Sequence, residues 1–146
     1  MKIKFETTVS RPLLEVKDGF DRKLFEALRP PWINLKLKRF DGCSPGNQVH
    51  LEMGQLGFYQ KWVSLITDEQ MTERSWYFID EGHVLPWPLR EWRHRHLVEK
   101  ISETSSLIVD DIDFNTGSKF MNLIIWPGLW LSFAIRPKVY KKFFEG

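Results

Sequence analysis

The stretch KFMNLIIWPGLWLSFAIRPKVYKKFF, residues 119–144, decides how the chain reads. Its large apolar residues fall at Phe120, Leu123, Ile124, Trp126, Trp130, Leu131, Phe133, Ala134, Tyr140, Phe143 and Phe144. Most keep the i, i+3, i+4, i+7 spacing of a helix with an apolar face. Thr116-Gly117-Ser118 breaks the preceding pattern and supplies Ser118 as an N-cap. Pro127-Gly128 and Pro137 are expected to interrupt or kink the helix, because proline lacks an amide donor and its ring crowds the preceding turn. Run without a break, roughly 26 residues at about 1.5 Å each would span about 39 Å. A helix of that length and aromatic content needs a broad apolar surface to lie on. The residues before it read as strands, so the expected partner is one face of a sheet.

Working back from the helix, Ser106–Phe114 and Trp92–Ser102 read as strands joined by the polar turn Glu103-Thr104-Ser105. Gly82–Arg90 is a rigid apolar loop bounded by Pro86 and Pro88. Arg74–Glu81, Gln60–Thr67, Asn47–Gly54 and Asn34–Asp41 show the period-two patterning of strands, and Lys2–Val9 sets Ile3, Phe5, Thr7 and Val9 against Lys2, Lys4, Glu6 and Thr8. Between the first two strands, Ser10 or Arg11 caps a short helix with Pro12 in its first turn and Leu13, Leu14, Val16 and Phe20 as its apolar residues. A second short helix, with Asp21 as N-cap, holds Phe20, Leu24, Phe25 and Leu28 and is stopped by Arg29-Pro30-Pro31. Consecutive strands with short connections form an antiparallel meander. The expected architecture is α+β, a curved antiparallel sheet of six to seven strands wrapped around a long C-terminal helix, in a single domain over residues 1–146.

Composition narrows the function classes. Seven Trp and eleven Phe in 146 residues build either a thick core or the wall of an apolar cavity. A formal net charge of +2 is too small to point to nucleic acid, and none is expected as a partner. The single cysteine, Cys43, excludes an intrachain disulfide and suits a reducing compartment. The opening residues alternate rather than forming a signal-peptide block. The longest apolar run, Leu123–Ile135, is broken by Pro127-Gly128 and is shorter than the ~20 residues of a membrane span. The expectation is a cytoplasmic protein with no stable membrane insertion.

The element order resembles the START-like, or Bet v 1-like, superfamily, also called SRPBCC or polyketide-cyclase-like proteins. The resemblance rests on Pro12-Leu13-Leu14-Glu15-Val16 with Phe20, on Trp62, on Phe78-Ile79-Asp80-Glu81, and on the proline-bearing loop. Trp92-Arg93-His94-Arg95-His96 followed by Asp110-Asp111-Ile112-Asp113-Phe114 looks like a bacterial branch of that superfamily. The resemblance implies a helix-grip fold enclosing an apolar cavity between sheet and long helix. It also implies a lipid, polyketide or other hydrophobic or aromatic small molecule as ligand, and in a minority of members cyclase or dehydratase activity.

Strand alternation then selects side chains. His94 and His96, two apart on one strand, share a face with Trp92 and Val98, while Arg93, Arg95, Leu97 and Glu99 take the other. Two unpaired arginines are costly to bury, so the histidines point inward. The same alternation turns Asp110 inward with Ile108, Ile112 and Phe114, and Asp80 with Trp76 and Phe78. The expected pocket is lined by Trp62, Trp76, Phe78, Trp92, Ile112 and Phe114, with His94, His96, Asp80 and Asp110 as its polar groups. Three readings stay open for the polar set: a hydrogen-bonded core cluster, contact with the polar end of a ligand, and acid/base catalysis by His94 or His96 oriented by Asp110. A binding module is favoured over an enzyme. A two-histidine, one-carboxylate metal set from His94, His96 and Asp110 rests on a bare H-x-H, so no metal is assigned. No glycine-rich phosphate motif occurs, so no cofactor is expected. Lys36, Lys38, Arg39, Arg93 and Arg95 read as a solvated outer sheet face, and Arg136, Lys138, Lys141 and Lys142 as cations at a helix C-terminus. Leu129–Phe133 and Leu85–Leu89 are placed at the mouth of the pocket, with a homodimer contact as the rival reading.

Overall fold

The computed structural model describes residues 1–55 and 57–146. The elements run β1 (Lys2–Val9), α1 (Leu13–Asp18), α2 (Arg22–Ala27), β2 (Asn34–Phe40), β3 (Gln48–Gln55), β4 (Phe58–Met71), β5 (Ser75–Val84), β6 (Glu91–Ser102), β7 (Ser105–Asn115), α3 (Lys119–Ala134) and α4 (Arg136–Glu145). All seven strands form one antiparallel sheet in the order β1-β7-β6-β5-β4-β3-β2. Strands β2 to β7 are the expected meander. The first strand closes it by pairing with the last, Phe5 opposite Asp110 and Ile3 opposite Ile112. The result is the α+β, helix-grip architecture expected from the pattern.

Several local expectations shift. The first helix is capped at Pro12, not at Ser10 or Arg11, with no side-chain cap bond. Proline's fixed φ there lets the helix begin at Leu13, whose side chain is buried, while Leu14 faces solvent. Asp21 does cap α2, its Oδ1 accepting from the Leu24 amide at 3.0 Å. Strand β4 runs four residues past Thr67 and β5 three past Glu81, so the proline-bearing loop is shorter than read. Gly117, at φ +85°, turns the chain out of β7, and Ser118 Oγ then accepts from the Met121 amide at 3.2 Å to start α3.

The C-terminal helix departs most. It runs through Pro127-Gly128 and breaks only at Ile135, just ahead of Pro137 in the first turn of α4. A proline at the start of a helix removes an amide that has no partner there anyway, so the break falls where it costs least. Nor does the helix bury its apolar content as one face against the sheet. Phe133 is the buried residue of α3, while Phe120, Leu123, Ile124 and Leu131 face outward. The apolar residues of α3 occupy both faces, and a period of 3.6 lets only one of them meet the sheet.

Two apolar clusters lie on the concave face of the sheet. Beneath α1, α2 and α4, Leu13, Val16, Phe20 and Leu24 pack on Trp76, Phe78, Tyr140 and Phe144. Beneath α3, Ile3, Trp92, Ile112, Phe114 and Phe133 form the second, flanked by Trp62 and Trp126. A Cβ on Gly19 would collide with the Phe144 ring, so the bare glycine is what lets α4 close over the end of α1. Among the described residues no helix is long and apolar enough to cross a membrane.

Candidate functional site

At the seam between the clusters sits a buried polar set whose register follows from the alternation. His94 lies directly across from Asp80 on β5, and His96 across from Asp110 on β7. Each ring reaches past its direct neighbour to the diagonal carboxylate. His94 Nε2 lies 2.8 Å from Asp110 Oδ1, and His96 Nε2 lies 2.7 Å from Asp80 Oδ2. The crossing stacks the imidazoles, with ring centroids 3.6 Å apart, and His96 stacks in turn on Phe78 at 4.2 Å. Phe20 and Phe25 hold His96 from the first cluster, and Trp92 and Phe133 hold His94 from the second.

Asp110 is anchored from the helix side. Arg136 Nη1 donates to its Oδ1 at 2.8 Å, and Tyr140 Oη donates to the same oxygen at 3.3 Å. The Arg136 guanidinium also lies over the Phe133 ring, 4.4 Å from its centroid. This overturns the placing of Arg136 among solvated helix-end cations. It stands three residues after Phe133 and four before Tyr140, on the inward face, where the start of α4 brings a cation to a buried carboxylate. That spacing was the available signal. The other basic residues behave as read, with Lys38, Arg39, Arg93 and Arg95 paired to Glu52, Asp41, Glu81 and Asp111.

Burial alone would raise the Asp110 carboxyl, but Arg136 and the two histidines outweigh it and hold the group well below the usual carboxylate range. Burial likewise opposes ionisation of Asp80, and the His96 hydrogen bond with the neighbouring imidazoles brings it down. Tyr140 is pushed up, chiefly by burial. His96 is depressed from 6.5 to about 4, by burial first and by His94 next, despite its bond to Asp80. It is therefore neutral at neutral pH. Its Nε2–H donates to Asp80, and Nδ1 is buried without a hydrogen-bond partner.

A pH dependence follows. Between about pH 6.5 and 4 the unfolded chain binds a proton at His96 that the folded chain refuses. Unfolding free energy should therefore fall as pH drops through that window, by on the order of 3 kcal/mol, and the depressed carboxylates extend the loss to lower pH. Urea denaturation at a series of pH values measures this, and a midpoint unchanged down to pH 4.5 would contradict it.

Next to the polar set is a cavity of about 160 Å³. Phe25, Leu28, Ile33 and Leu35 border it from the α2–β2 side, Val49, Leu51, Met53 and Ile66 from β3 and β4, and Leu129, Ser132, Phe133 and Arg136 from the helices. Of the residues picked from sequence, Trp62, Phe78, Asp80, Trp92, His94 and His96 line it. Trp76, Asp110, Ile112 and Phe114 are not among its lining residues. Trp76 is covered by Phe20 in the first cluster, Asp110 lies under Arg136 and Tyr140, and Ile112 and Phe114 are packed in the second cluster. Sequence reading missed Ser64, which accepts from Trp62 Nε1 at 3.0 Å, and the wall built by α2, β2 and β3. A short apolar helix gives no hint in sequence of which distant strand it faces. Of the residues expected at the mouth, Leu129 and Phe133 line the cavity, while Leu85 and Leu89 pack in the second cluster.

The ligand atoms of Asp80, His94 and His96 come within 4.8 Å of one another, and Asp110 Oδ1, the carboxylate expected from sequence, lies 2.8 Å from His94 Nε2 and 3.9 Å from His96 Nδ1. Stacked imidazoles that each give Nε2 to a carboxylate describe hydrogen-bonded pairs more than a converged tripod of metal ligands. Cys43 rests in its loop with Sγ 3.6 Å from the Phe20 carbonyl, and burial pushes its thiol up to about 12, far from a reactive thiolate. His50 and His83 sit on strands β3 and β5, outside the cavity lining.

No family model and no curated protein sequence matches the chain. Solved structures do. A START superfamily protein from Mycobacterium smegmatis superposes with TM-score 0.66 at 11% identity, over 99% of this chain and 97% of that one. Truncated norcoclaurine synthase from Thalictrum flavum gives 0.67 at 13% identity, over 100% and 94%. Ara h 8.0201 gives 0.55 at 14% identity, over 96% and 97%. At such identities the likeness is one of fold, and on it the chain has the helix-grip fold of the START-like, Bet v 1-like (SRPBCC) proteins.

Proposed function

We propose that the protein binds a compact hydrophobic or aromatic small molecule in the space between the sheet and the C-terminal helices. The observation that carries this reading is the cavity itself, apolar over most of its wall and meeting a few polar groups, chief among them Asp80, His94, His96 and Arg136. An apolar recess with few converging polar groups is the usual form of a small-molecule site. A volume of about 160 Å³ is close to that of an engineered apolar cavity, about 150 Å³, that takes up benzene. A single-ring aromatic fits without rearrangement, and a longer polyketide or lipid requires α3 or the α2–β2 segment to move outward. Asp80, His94 and His96 orient the polar end of the ligand. Trp62, Phe78 and Trp92 hold its body. The void beside Trp62 and Trp92 speaks against a filled core serving only protein contacts.

One observation favours a second reading, an acid/base enzyme of the cyclase or dehydratase type. His96 is a neutral imidazole, oriented by a carboxylate, whose Nδ1 has no partner, which is the form a general base takes. The ligand reading is tested by native mass spectrometry of gently purified protein and by thermal shift with a panel of single-ring aromatics. A ligand at 100 times its Kd raises unfolding free energy by about 2.7 kcal/mol, and Trp62→Ala should weaken the response. No retained mass and no shift with any compound would set the reading aside. Turnover of a bound compound that His96→Gln abolishes would move the weight to the enzyme.

A further inference from the structure

The outer face of the C-terminal helices is not explained by the cavity. Phe120, Leu123, Ile124 and Leu131 are 72%, 62%, 54% and 51% exposed, and they fall on one stripe with Pro127. Soluble chains seldom present so long an apolar row to water. No charge interrupts it, since residues 120–135 contain none. Ile135 keeps right-handed helical angles at the break, so the helical spacing carries on into α4. There the same stripe reaches Lys138 and Lys142, seven and eleven residues beyond Leu131, both exposed. The row is thus apolar for about three turns and basic at its end, with Lys119 at its start.

Charge is distinctive here in a second way. No acidic residue occurs between Asp113 and Glu145. On the sheet's outer face Lys38, Arg39, Arg93 and Arg95 are ion-paired, but among the described residues no ion pair engages Lys119, Lys138, Lys141 or Lys142. The β5–β6 loop lies beside the foot of α3. Its Leu85 and Leu89 pack in the cluster that holds Trp126 and Leu129 of α3, while Trp87 stands 77% exposed and Arg90 lies against Gly117 at the foot of the helix.

We propose that this face is a peripheral docking surface for an anionic lipid bilayer. The helix lies in the plane of the interface, with Phe120, Leu123, Ile124 and Leu131 in the acyl boundary and Lys119, Lys138 and Lys142 on headgroup phosphates. Sixteen residues are too few to span a bilayer, but an apolar face of this kind enters the headgroup boundary by about 5–10 Å. Indoles such as Trp87 and Trp130 favour that depth. Anionic headgroups complement the unpaired lysines. A second copy of the chain would instead bring its own acid-free, lysine-bearing stripe against this one. The inference concerns the outer face of α3 and α4 and stands whatever the cavity holds.

The test is sedimentation of the full chain with vesicles of phosphatidylcholine alone and of phosphatidylcholine mixed with phosphatidylglycerol. Binding to the mixed vesicles, weakened by salt, is expected. Leu123→Ser with Ile124→Ser should lower the partition coefficient at least about tenfold, since the apolar area entering the boundary is lost. Lys138→Gln and Lys142→Gln should each lower it about fivefold on anionic vesicles. All four side chains are exposed, so circular dichroism should be unchanged. Failure to bind anionic vesicles overturns the proposal, as does equal binding to both vesicle types. A dimer seen by ultracentrifugation, dissolved by the serine variant and undisturbed by vesicles, would assign the face to a second copy and overturn it as well.

Discussion

Arg136→Met should lower the unfolding free energy by about 3–5 kcal/mol, the usual cost of removing one partner from a buried ion pair. The size comes from what is left behind. Asp110 is 1% exposed, and without the guanidinium its Oδ1 keeps only His94 Nε2 and the long contact from Tyr140. The carboxylate then loses the interaction that chiefly offsets its burial, and it either takes up a proton or draws water into the seam between the clusters. Arg136→Lys should recover only part of the loss. One guanidinium nitrogen serves both Asp110 and Tyr140 while the planar group lies over Phe133, and an ammonium on a longer swing does not reproduce that arrangement. Urea denaturation of the three proteins decides it, and a loss below about 1 kcal/mol for the methionine variant would mean the pair is solvated rather than buried.

Trp76→Ala should cost a similar amount, about 3–5 kcal/mol, through packing rather than charge. The indole is 2% exposed, its ring 5.4 Å from Phe20 and 5.2 Å from Phe78, and its Nε1 donates to Glu69 at 2.9 Å. Truncation opens a hole between α1 and the sheet and leaves the Glu69 oxygen without its donor. Because Trp76 is absent from the cavity lining, uptake of an aromatic ligand should survive in the variant wherever it remains folded. Trp62→Ala, on a half-buried residue of the cavity wall, should do the reverse, sparing stability and weakening uptake. Equal effects of the two substitutions on uptake would refute the assignment of Trp76 to the core.

Much of the site could be read before the fold was seen, for a simple reason. On a strand, residues two apart must share a face, so Trp92, His94 and His96 were bound to travel together, as were Ile108, Asp110, Ile112 and Phe114. The cost of burying Arg93 and Arg95 then chose which face was inward, and both arginines do lie on the outer side beside Glu81 and Asp111. The helix was harder. Its apolar residues occupy two faces, and periodicity alone does not say which one meets the sheet. Arg136 was misplaced because a cation in a run of lysines near a helix end looks solvated unless the carboxylate beneath it is known.

The sequence by itself determined the element order, the antiparallel meander, the two short helices and the inward set His94, His96, Asp80 and Asp110. These rest on local rules of side-chain alternation, proline and glycine breaks, and the expense of burying charge. Tertiary structure alone decided that β1 closes the sheet against β7, that each histidine crosses to the diagonal carboxylate, and that Arg136 and Tyr140 come down on Asp110. It also divided the aromatic residues between the cavity wall and the solid core, and left one face of α3 bare. Those outcomes depend on which surfaces meet across the chain, from the 16 residues between His94 and Asp110 to the more than a hundred between Ile3 and Ile112, and no local pattern of residues specifies such a meeting.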